Sequence, residues 1–401
     1  MKFSRLTQRI REETHASDEQ AIDPWAVHTM ACERLSNGED IVLLSIGQES
    51  NETTPELVVD SAVHSLRNGR HHYADVRGEK SLRSAIAAYH SHLTGQTADE
   101  SQITVFSGAQ NAMFAVAQVL LEPEDEVILV APYYTTYRAT FGASGAQVVT
   151  VTLQADNDYQ LDETLLLQAV TDRTRAIVLN IPGNPLGGSY TRAQLSALVD
   201  NCYRRRIWLV LDTVYLDIFA PGTIALPHDL PGADNVLITI GSLSKSHRMT
   251  GWRVGWIAGP SELSTHLYNL NVCLHYGLPP FIMDAAAFAL ERSVETPSIV
   301  RAAIQSRREA ALEHFTDISP VRLLDPGQGM FILLDVQALN TTAFEFAVSL
   351  LEAENIAVLP CNGFGPGGDY LARVGLCVDT ETMRDACKRI KRFIEQWPAG
   401  S

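Results

Sequence analysis

The middle of the chain alternates between short apolar runs and stretches with helical spacing. Helical patterns cover 111–121 and 192–203, and Thr191 forms a capping box with Gln194 at the start of the second one. Strands that alternate with helices predict a mostly parallel sheet covered on both faces, an α/β architecture that binds ligands at the carboxyl ends of its strands. The predicted strands are 103–106, 126–130, 148–153, 176–181, 208–211, 236–240 and 254–258.

The two ends of the chain have a different pattern. A long helical region, 262–315, is broken at 276–280 and is followed by fewer, more widely separated strands. We predict a large domain at 46–300, a smaller α+β domain at 301–401, and an N-terminal segment, 1–45, that packs with the small domain. The other predicted elements are helices at 26–35, 57–66, 81–93, 342–352 and 380–396 and strands at 331–336, 356–359 and 372–377.

Composition and charge exclude several classes of function. The formal net charge is −16 and no dense run of Lys or Arg occurs, which argues against a nucleic-acid-binding surface. The six cysteines form neither a Cys-x-x-Cys pair nor a metal-ligand spacing, so we expect reduced thiols and no metal site. The N-terminus is too charged for a signal peptide, and no apolar run is long enough to span a bilayer. We therefore expect a cytoplasmic protein that binds neither membranes nor nucleic acid.

Residues 241–256 place a lysine in a setting that suits chemistry. Ser242 and Ser244 precede Lys245, and Arg253 follows it. Burial and a neighbouring cation lower the pKa of a lysine and make its amine a nucleophile. An arginine together with hydroxyl donors is what a phosphate group requires. A solvated loop lysine is the alternative that this stretch alone leaves open.

Small and aromatic residues follow two other predicted strands. The stretch 107–110, which reads Ser-Gly-Ala-Gln, ends one strand and opens the helix predicted at 111–121. Small residues at a helix N-terminus leave N–H groups free to bind phosphate. Tyr133 and Tyr134 follow the next strand, where one of them could stack on a flat ring. A plain tight turn and two core tyrosines are the alternatives.

Polar residues follow two further strands. Asp212 comes directly after an apolar run, where a carboxylate needs a cationic partner such as a protonated pyridinium nitrogen. Tyr215 could then hydrogen-bond an oxygen beside that nitrogen. Two prolines and three glycines fix a rigid path at 180–188, and Asn184 within it could hold a ring oxygen. A helix cap or structural ion pair for Asp212, and a structural turn at 180–188, are the alternatives.

These five strand-end features together meet the requirements of pyridoxal 5′-phosphate (PLP), namely a phosphate cradle, a stacking ring, a pyridinium partner, an oxygen ligand and an imine-forming lysine. On these residues the chain resembles the fold-type I, class I/II aminotransferases over nearly its whole length. The matching signatures are Tyr73 with Gly78 before Leu82-Arg83, Ser107-Gly108-Ala109-Gln110, Asn184-Pro185-Leu186-Gly187, Asp212-Thr213-Val214-Tyr215, Ser242-Leu243-Ser244-Lys245, Gly251-Trp252-Arg253-Val254-Gly255 and Arg373.

The resemblance implies a role for each matched residue. Lys245 would form the internal aldimine and move the proton between the substrate α-carbon and the cofactor. Arg373 would clamp the substrate α-carboxylate, helped by Asn184 and by the backbone of Gly47. The implied cofactor contacts are Asp212 at the pyridinium nitrogen, Asn184 and Tyr215 at the phenolic oxygen, Tyr134 rather than Tyr133 on the ring face, and, at the phosphate, Gly108, Ala109, Gln110, Ser242, Arg253 and the partner subunit's Tyr73. Since Tyr73 acts across an interface in this family, a homodimer is implied as well.

Three stretches look like the arginine:pyruvate transaminases in particular, so we expect L-arginine or a similar long basic donor and pyruvate as acceptor. The chain departs from most relatives at 47–52, where it reads Gly-Gln-Glu-Ser-Asn-Glu in place of Gly-x-Pro-Asp-Phe. Glu49 or Glu52 could meet a guanidinium there, but solvated loop carboxylates are the interpretation we favour. The three similar stretches are 72–78, 242–247 and 276–286.

Two other functions would use the same cofactor. One is a β-eliminating carbon–sulfur lyase, because this fold hosts several chemistries. Ammonia and pyruvate released without an acceptor would favour it. The other is a PLP-binding regulatory sensor, which would need a DNA-binding module, and the roughly 45 residues before Gly47 are too few and too acidic for one.

Overall fold

The computed structural model describes residues 4–14, 23–50, 52–292 and 294–398. Its α-helices are α1 Arg5–Thr14, α2 Ala26–Ser36, α3 Glu56–Arg67, α4 Lys80–Thr94, α5 Ala109–Leu120, α6 Tyr137–Gly142, α7 Glu163–Gln168, α8 Arg192–Arg205, α9 Ala233–Val236, α10 Ser261–Leu274, α11 Pro280–Arg292, α12 Thr296–Phe315, α13 Ala343–Glu354 and α14 Thr380–Glu395. Its strands are β1 Val42–Leu43, β2 Ile103–Phe106, β3 Glu126–Ala131, β4 Gln147–Thr152, β5 Thr174–Asn180, β6 Trp208–Asp212, β7 Leu237–Ser242, β8 Gly255–Ala258, β9 Arg322–Leu324, β10 Phe331–Asp335, β11 Ile356–Ala357, β12 Leu359–Pro360 and β13 Leu371–Gly375.

A seven-stranded sheet lies at the centre of the larger part of the structure, with its strands in the order β2-β8-β7-β6-β5-β3-β4. Strand β8 is antiparallel to both neighbours, and the other pairs are parallel. Both faces are covered, because alternate residues of β3 enter different cores: Val127 and Leu129 pack on one side, Ile128 and Val130 on the other. The prediction of an α/β fold with a mostly parallel sheet is therefore confirmed.

The C-terminal part builds a smaller, antiparallel sheet. Strands β12, β13, β10 and β9 lie side by side in that order. Strand β1 pairs in parallel with β11, with Val42 opposite Ile356, and this pairing brings the N-terminal part of the chain against the C-terminal part. Val27 and Ala31 of α2 lie in the same core as residues of α13 and α14.

Helix α1 has a different position from the one predicted for residues 1–45. It packs against α6, beside the large sheet, while α2 and β1 lie with the C-terminal elements. The Glu13 carboxylate lies 2.8 Å from the Arg138 guanidinium, and Arg9 donates a hydrogen bond of 3.2 Å to the carbonyl of Ala143. These polar contacts, which the apolar pattern does not encode, hold α1 there. Residues 1–3 and 15–22 of the predicted segment lie outside the described residues.

Most helix boundaries lie within two residues of the prediction, and two of the differences have a local physical cause. Helix α5 begins at Ala109 rather than 111, because Gly108, with φ +83°, allows the sharp turn out of β2. The region 262–315 is interrupted a second time after Arg292, and α12 starts with a proline in its first turn, where the missing N–H is not needed. Among the described residues, no helix is long and apolar enough to cross a membrane.

Candidate active site

The carboxyl ends of the parallel strands bring the predicted residues to one edge of the large sheet. Asn180 at the end of β5 lies opposite Asp212 at the end of β6. The antiparallel β8 starts at this same edge, since Gly255 pairs with both Phe106 and Ser242. The reversed direction of β8 therefore places Arg253, which lies just before it, beside the ends of β2 and β7.

Lys245 lies in the loop after β7 and is directed into the protein. Its Nζ donates a hydrogen bond of 2.7 Å to the carbonyl of Gly47. Burial, with a smaller effect of the positive charges of Arg373 and Arg253, lowers the pKa of Lys245 to about 8, against the opposing effects of Cys377 and Asp212. A large fraction of the amine is therefore neutral near pH 8, as a nucleophile or a base must be. The alternative of a solvated loop lysine is wrong.

Asp212 is the last residue of β6 and only 6% exposed. Tyr137 donates a short hydrogen bond to its Oδ2, and the backbone N–H of Val214 donates to Oδ1 at 3.1 Å. Burial raises the pKa of Asp212 to about 6, although these two bonds and the charge of Lys245 lower it. Within the described residues Asp212 makes no ion pair, so the alternative of a structural ion pair is wrong. The buried carboxylate is free to accept a cationic ligand.

Arg373 on β13 is a buried cation without a carboxylate partner in the part of the chain that the structure describes. It is 2% exposed, and its guanidinium carbon lies 4.1 Å from the centroid of the Phe331 ring. Its two terminal nitrogens donate to Asn184 Oδ1 at 2.8 Å and to the carbonyl of Ser45 at 2.9 Å. A buried guanidinium held in this way fits a ligand carboxylate.

Asn184 connects Arg373 to the end of β6. While its Oδ1 accepts from Arg373, its Nδ2 donates to the Tyr215 hydroxyl at 3.2 Å. Burial raises the pKa of Tyr215, which keeps its hydroxyl protonated and able to donate to an acceptor oxygen. The three side chains thus form a continuous hydrogen-bonded row, which a structural turn at 180–188 would not require.

The start of α5 and Arg253 face one another. Gly108 has φ +83°, which other residues rarely adopt, and a Cβ there would displace the Arg253 guanidinium, so glycine suits this close approach. Arg253 donates to the carbonyl of Thr250 at 2.8 Å and makes no ion pair with any described residue. No side chain caps α5, so the N–H groups of its first turn are available beside this cation. Such a helix start with an adjacent arginine fits a phosphate group.

Two residues that are predicted to bind the phosphate group already make hydrogen bonds within the protein. The amide of Gln110 donates to Thr140 at 2.9 Å and accepts from Thr136 at 2.7 Å, so its backbone N–H is what remains for a ligand. The hydroxyl of Ser242 donates to the carbonyl of Val254 at 2.9 Å and accepts from the backbone N–H of Ser244 at 3.1 Å. It can still accept a bond, but donating to a ligand requires its hydrogen to rotate away.

The tyrosines divide between the core and the site. Tyr133 is buried, and its backbone N–H donates to the carbonyl of Phe364 at 2.7 Å, so it has a structural position. Tyr134 is only partly buried, and its ring centroid is 6.0 Å from that of Tyr137. Tyr73 is not part of this cluster, because its side chain is 88% exposed and packs edge-on against Tyr276.

Tyr137 and the surroundings of Glu49 were not predicted from the sequence. Tyr137 lies three residues after Tyr134 at the start of α6, and this aromatic spacing was the available signal. Our expectation of solvated carboxylates at 47–52 is wrong for Glu49. It is 8% exposed and accepts hydrogen bonds of 2.7 Å from both Arg248 and Arg307. Residue 51 of this loop lies outside the described residues.

The chemical groups of this site are complementary to those of PLP. A buried carboxylate without a cation, two arginines without anions, an uncapped helix start and a partly neutral lysine are the complementary groups for a pyridinium, a phosphate, a substrate carboxylate and an aldehyde. Among the described residues there is no group of three or more His, Cys, Asp or Glu side chains that could hold a metal ion.

Comparison with known proteins agrees with this fit. The profile of the family "Aminotransferase class I and II" matches residues 39–390. The arginine–pyruvate transaminase AruH of Pseudomonas aeruginosa is 42% identical over 390 residues, which cover 97% of either chain. The aspartate aminotransferase of Bacillus subtilis is 31% identical, over 92% of this chain and 95% of that protein. The solved structure of Thermus thermophilus aspartate aminotransferase with maleate superposes with a TM-score of 0.88 at 27% identity, over 98% of this chain and 99% of that one.

The match of the family profile extends over most of the chain, and the relatives cover nearly its whole length. The predictions of the family, the cofactor and the type of reaction are therefore confirmed. The chain belongs to the class I and II aminotransferases, which transfer amino groups with the help of PLP.

Proposed function

We propose that this aminotransferase moves the α-amino group of L-arginine, or of a similar long basic amino acid, to pyruvate. The observation that supports this choice of substrates is the 42% identity to an arginine–pyruvate transaminase over almost the full length of both chains. The aspartate aminotransferases of the comparison are less similar, at 25–31% identity.

We assign the site residues as follows. When bound, PLP supplies the carbonyl carbon that takes up the amino group and a ring that withdraws electrons. Arg373 grips the α-carboxylate with its two terminal nitrogens, and Asn184 and the carbonyl of Ser45 hold the guanidinium plane in position. The neutral Nζ of Lys245 takes the proton from the substrate α-carbon and returns one later. Both substrates have a carboxylate next to the reacting carbon, so they use Arg373 in turn, which gives ping-pong kinetics.

The remaining residues hold the cofactor in this proposal. Asp212 stays ionised beside the ring nitrogen, because a cation there replaces the water that burial has removed. Tyr215 and Asn184 donate to the phenolic oxygen, and Tyr134 stacks on the ring. The phosphate group is bound by the first turn of α5 at Gly108, Ala109 and Gln110, by Arg253 and by Ser242.

A panel of amino donors tests the substrate assignment. With pyruvate as acceptor, we expect kcat/KM to be highest for L-arginine, by about tenfold or more over aspartate and citrulline, because an ion pair with the donor guanidinium adds to a common grip on the α-carboxylate. Alanine formation measures the rate. A preference for aspartate, or no turnover of arginine, would overturn the assignment. Ammonia release without an acceptor would instead identify a lyase.

We propose that the protein is a homodimer in which the partner subunit's Tyr73 completes each site. Helix α3 packs one face on α11, yet it leaves Leu57 and Leu66 exposed to solvent. Tyr73 and Tyr276 form an exposed aromatic pair. An exposed apolar surface of this kind marks a protein interface.

Subunit mixing tests whether Tyr73 acts across that interface. Tyr73→Ala and Lys245→Met dimers are each expected to be nearly inactive, but mixed dimers contain one site with both an intact Lys245 and an intact Tyr73. Random exchange of equal amounts restores about a quarter of the sites. The activity of the mixture and the mass of tagged dimers are measured together. No recovery of activity in verified mixed dimers would contradict the proposal.

We also propose a cytoplasmic location, which the six free cysteine thiols support.

A further inference from the structure

Two glutamates and two arginines form a charge-balanced group beside the catalytic lysine. Glu49 accepts hydrogen bonds from Arg248 at 2.7 and 3.3 Å and from Arg307 at 2.7 Å. Glu52 lies 3.0 Å from Arg248 and 4.0 Å from Arg307. We call these four residues the Glu–Arg cluster. Its formal charges sum to zero.

The cluster separates two spaces. On one side is a cavity of about 40 Å³ whose wall contains Lys245, Glu49, Glu52 and Arg248. On the other side is an open groove of about 890 Å³, which Glu52 and Arg248 line together with Trp252. The groove therefore offers room for the Arg248 side chain. The backbone of Arg248 has φ +54°, which a non-glycine residue adopts rarely, so its position is constrained by its surroundings.

The two glutamates are not equivalent. Glu49 is buried and holds two arginines, so it stays paired with Arg307 if Arg248 moves away. The side chain of Glu52 is 39% exposed, and its closest cation is Arg248. Exchange of the partner costs less at a solvent-exposed carboxylate than at a buried one, because water and a new cation can replace the old partner. Glu52 is thus the carboxylate of the cluster that can accept a guanidinium from outside.

We propose that Glu52 selects the donor side chain and that Arg248 holds the place of the donor's guanidinium until the donor binds. This inference rests on the proposed arginine donor. When arginine enters, its guanidinium pairs with Glu52, Arg248 moves into the groove, and Glu49 keeps Arg307. Each carboxylate retains one cation throughout. When pyruvate enters, it carries no distal charge, and the cluster stays closed with Arg248 on Glu52.

The arrangement explains how one site serves two substrates of different size and charge. A permanent unpaired carboxylate near Lys245 would suit arginine but would repel the carboxylate of pyruvate. An internal arginine that covers Glu52 removes this repulsion during the second half of the reaction.

Two substitutions of opposite expected effect test the proposal. Glu52→Gln is expected to lower the ratio of kcat/KM for arginine over citrulline, its neutral counterpart, by about tenfold or more, chiefly through KM for arginine. Arg248→Gln is expected to raise that ratio about threefold or more, because the competing cation is gone. Glu262→Gln, on the exposed face of α10, is the control and is expected to leave the ratio unchanged.

The outcomes distinguish this inference from the assignment of arginine itself. If the unmodified holoenzyme does not prefer arginine over citrulline, the proposed donor is wrong, and the inference is wrong with it. If it does prefer arginine and Glu52→Gln keeps the preference, the donor stands and the inference is overturned. Equal losses for arginine and citrulline in both cluster variants would show a purely structural role and would also overturn it.

Discussion

Replacement of Lys245 by methionine is expected to abolish transamination while the protein stays folded. The amine is the nucleophile and the proton carrier in our assignment, and no described side chain replaces it at the end of β7. We expect turnover to fall by at least about 10⁴-fold. Methionine has a similar length and fills the same space, so packing is retained.

The pKa of Lys245 determines how this variant affects stability. The folded-state pKa, about 8, is lower than the ordinary value of 10.5 because the amine is buried. Below pH 8 the folded protein therefore has to protonate a buried amine, which costs stability, and this cost disappears as the pH rises from about 8 to 10.5. Without the amine there is no such cost, so the cofactor-free variant should be at least as stable as the unmodified protein at pH 7.

Activity with arginine and pyruvate and the urea midpoint of the cofactor-free protein are the two measurements. Lys388→Met, which removes an exposed lysine of α14, is the matched control and is expected to change neither. Turnover above about 1% of the unmodified enzyme in Lys245→Met would exceed what the assignment allows.

The residues that the sequence predicts correctly lie at strand ends. A polar residue such as Asp212, directly after an apolar run, has its position fixed by local pattern, because the strand delivers it to the ligand-binding edge. Lys245 follows β7 in the same way. For these residues the sequence pattern predicts which strand end they follow, and this strand end determines their place in the fold.

The positions that the sequence does not reveal depend on contacts between distant parts of the chain. Glu49 and Arg248 are 199 positions apart, and Tyr137 and Asp212 are 75 positions apart. Nothing in the neighbourhood of Glu49 indicates that an arginine of another loop will bury it, so a solvated carboxylate was the reasonable expectation. The packing of α1 on α6 has the same origin, because it depends on polar contacts across the fold.

Asp212→Asn is expected to stabilise the cofactor-free protein and to impair the holoenzyme. Asparagine keeps an oxygen for the hydrogen bond from Tyr137 but carries no charge. In the holoenzyme it cannot balance the ring cation, so we expect cofactor affinity and turnover to fall by about 10²- to 10³-fold. In the cofactor-free protein the substitution removes a buried carboxylate that has no cation, which should raise the free energy of unfolding by about 1–3 kcal/mol above pH 6.

The pH dependence of this gain identifies its cause. The pKa of Asp212 is about 6 in the folded state against 3.8 ordinarily, so between these values the folded state binds a proton that the unfolded state has released. The free energy of unfolding of the cofactor-free protein therefore falls as the pH rises from about 4 to 6, and Asp212→Asn should remove this fall. Urea titrations at pH 4, 5, 6 and 8 measure it. Asp229→Asn, which removes an exposed carboxylate whose pKa is lowered by its hydrogen bond with Arg192, should give no gain. A gain in Asp212→Asn that is equal at pH 4 and pH 8 would show that the buried charge is not its source.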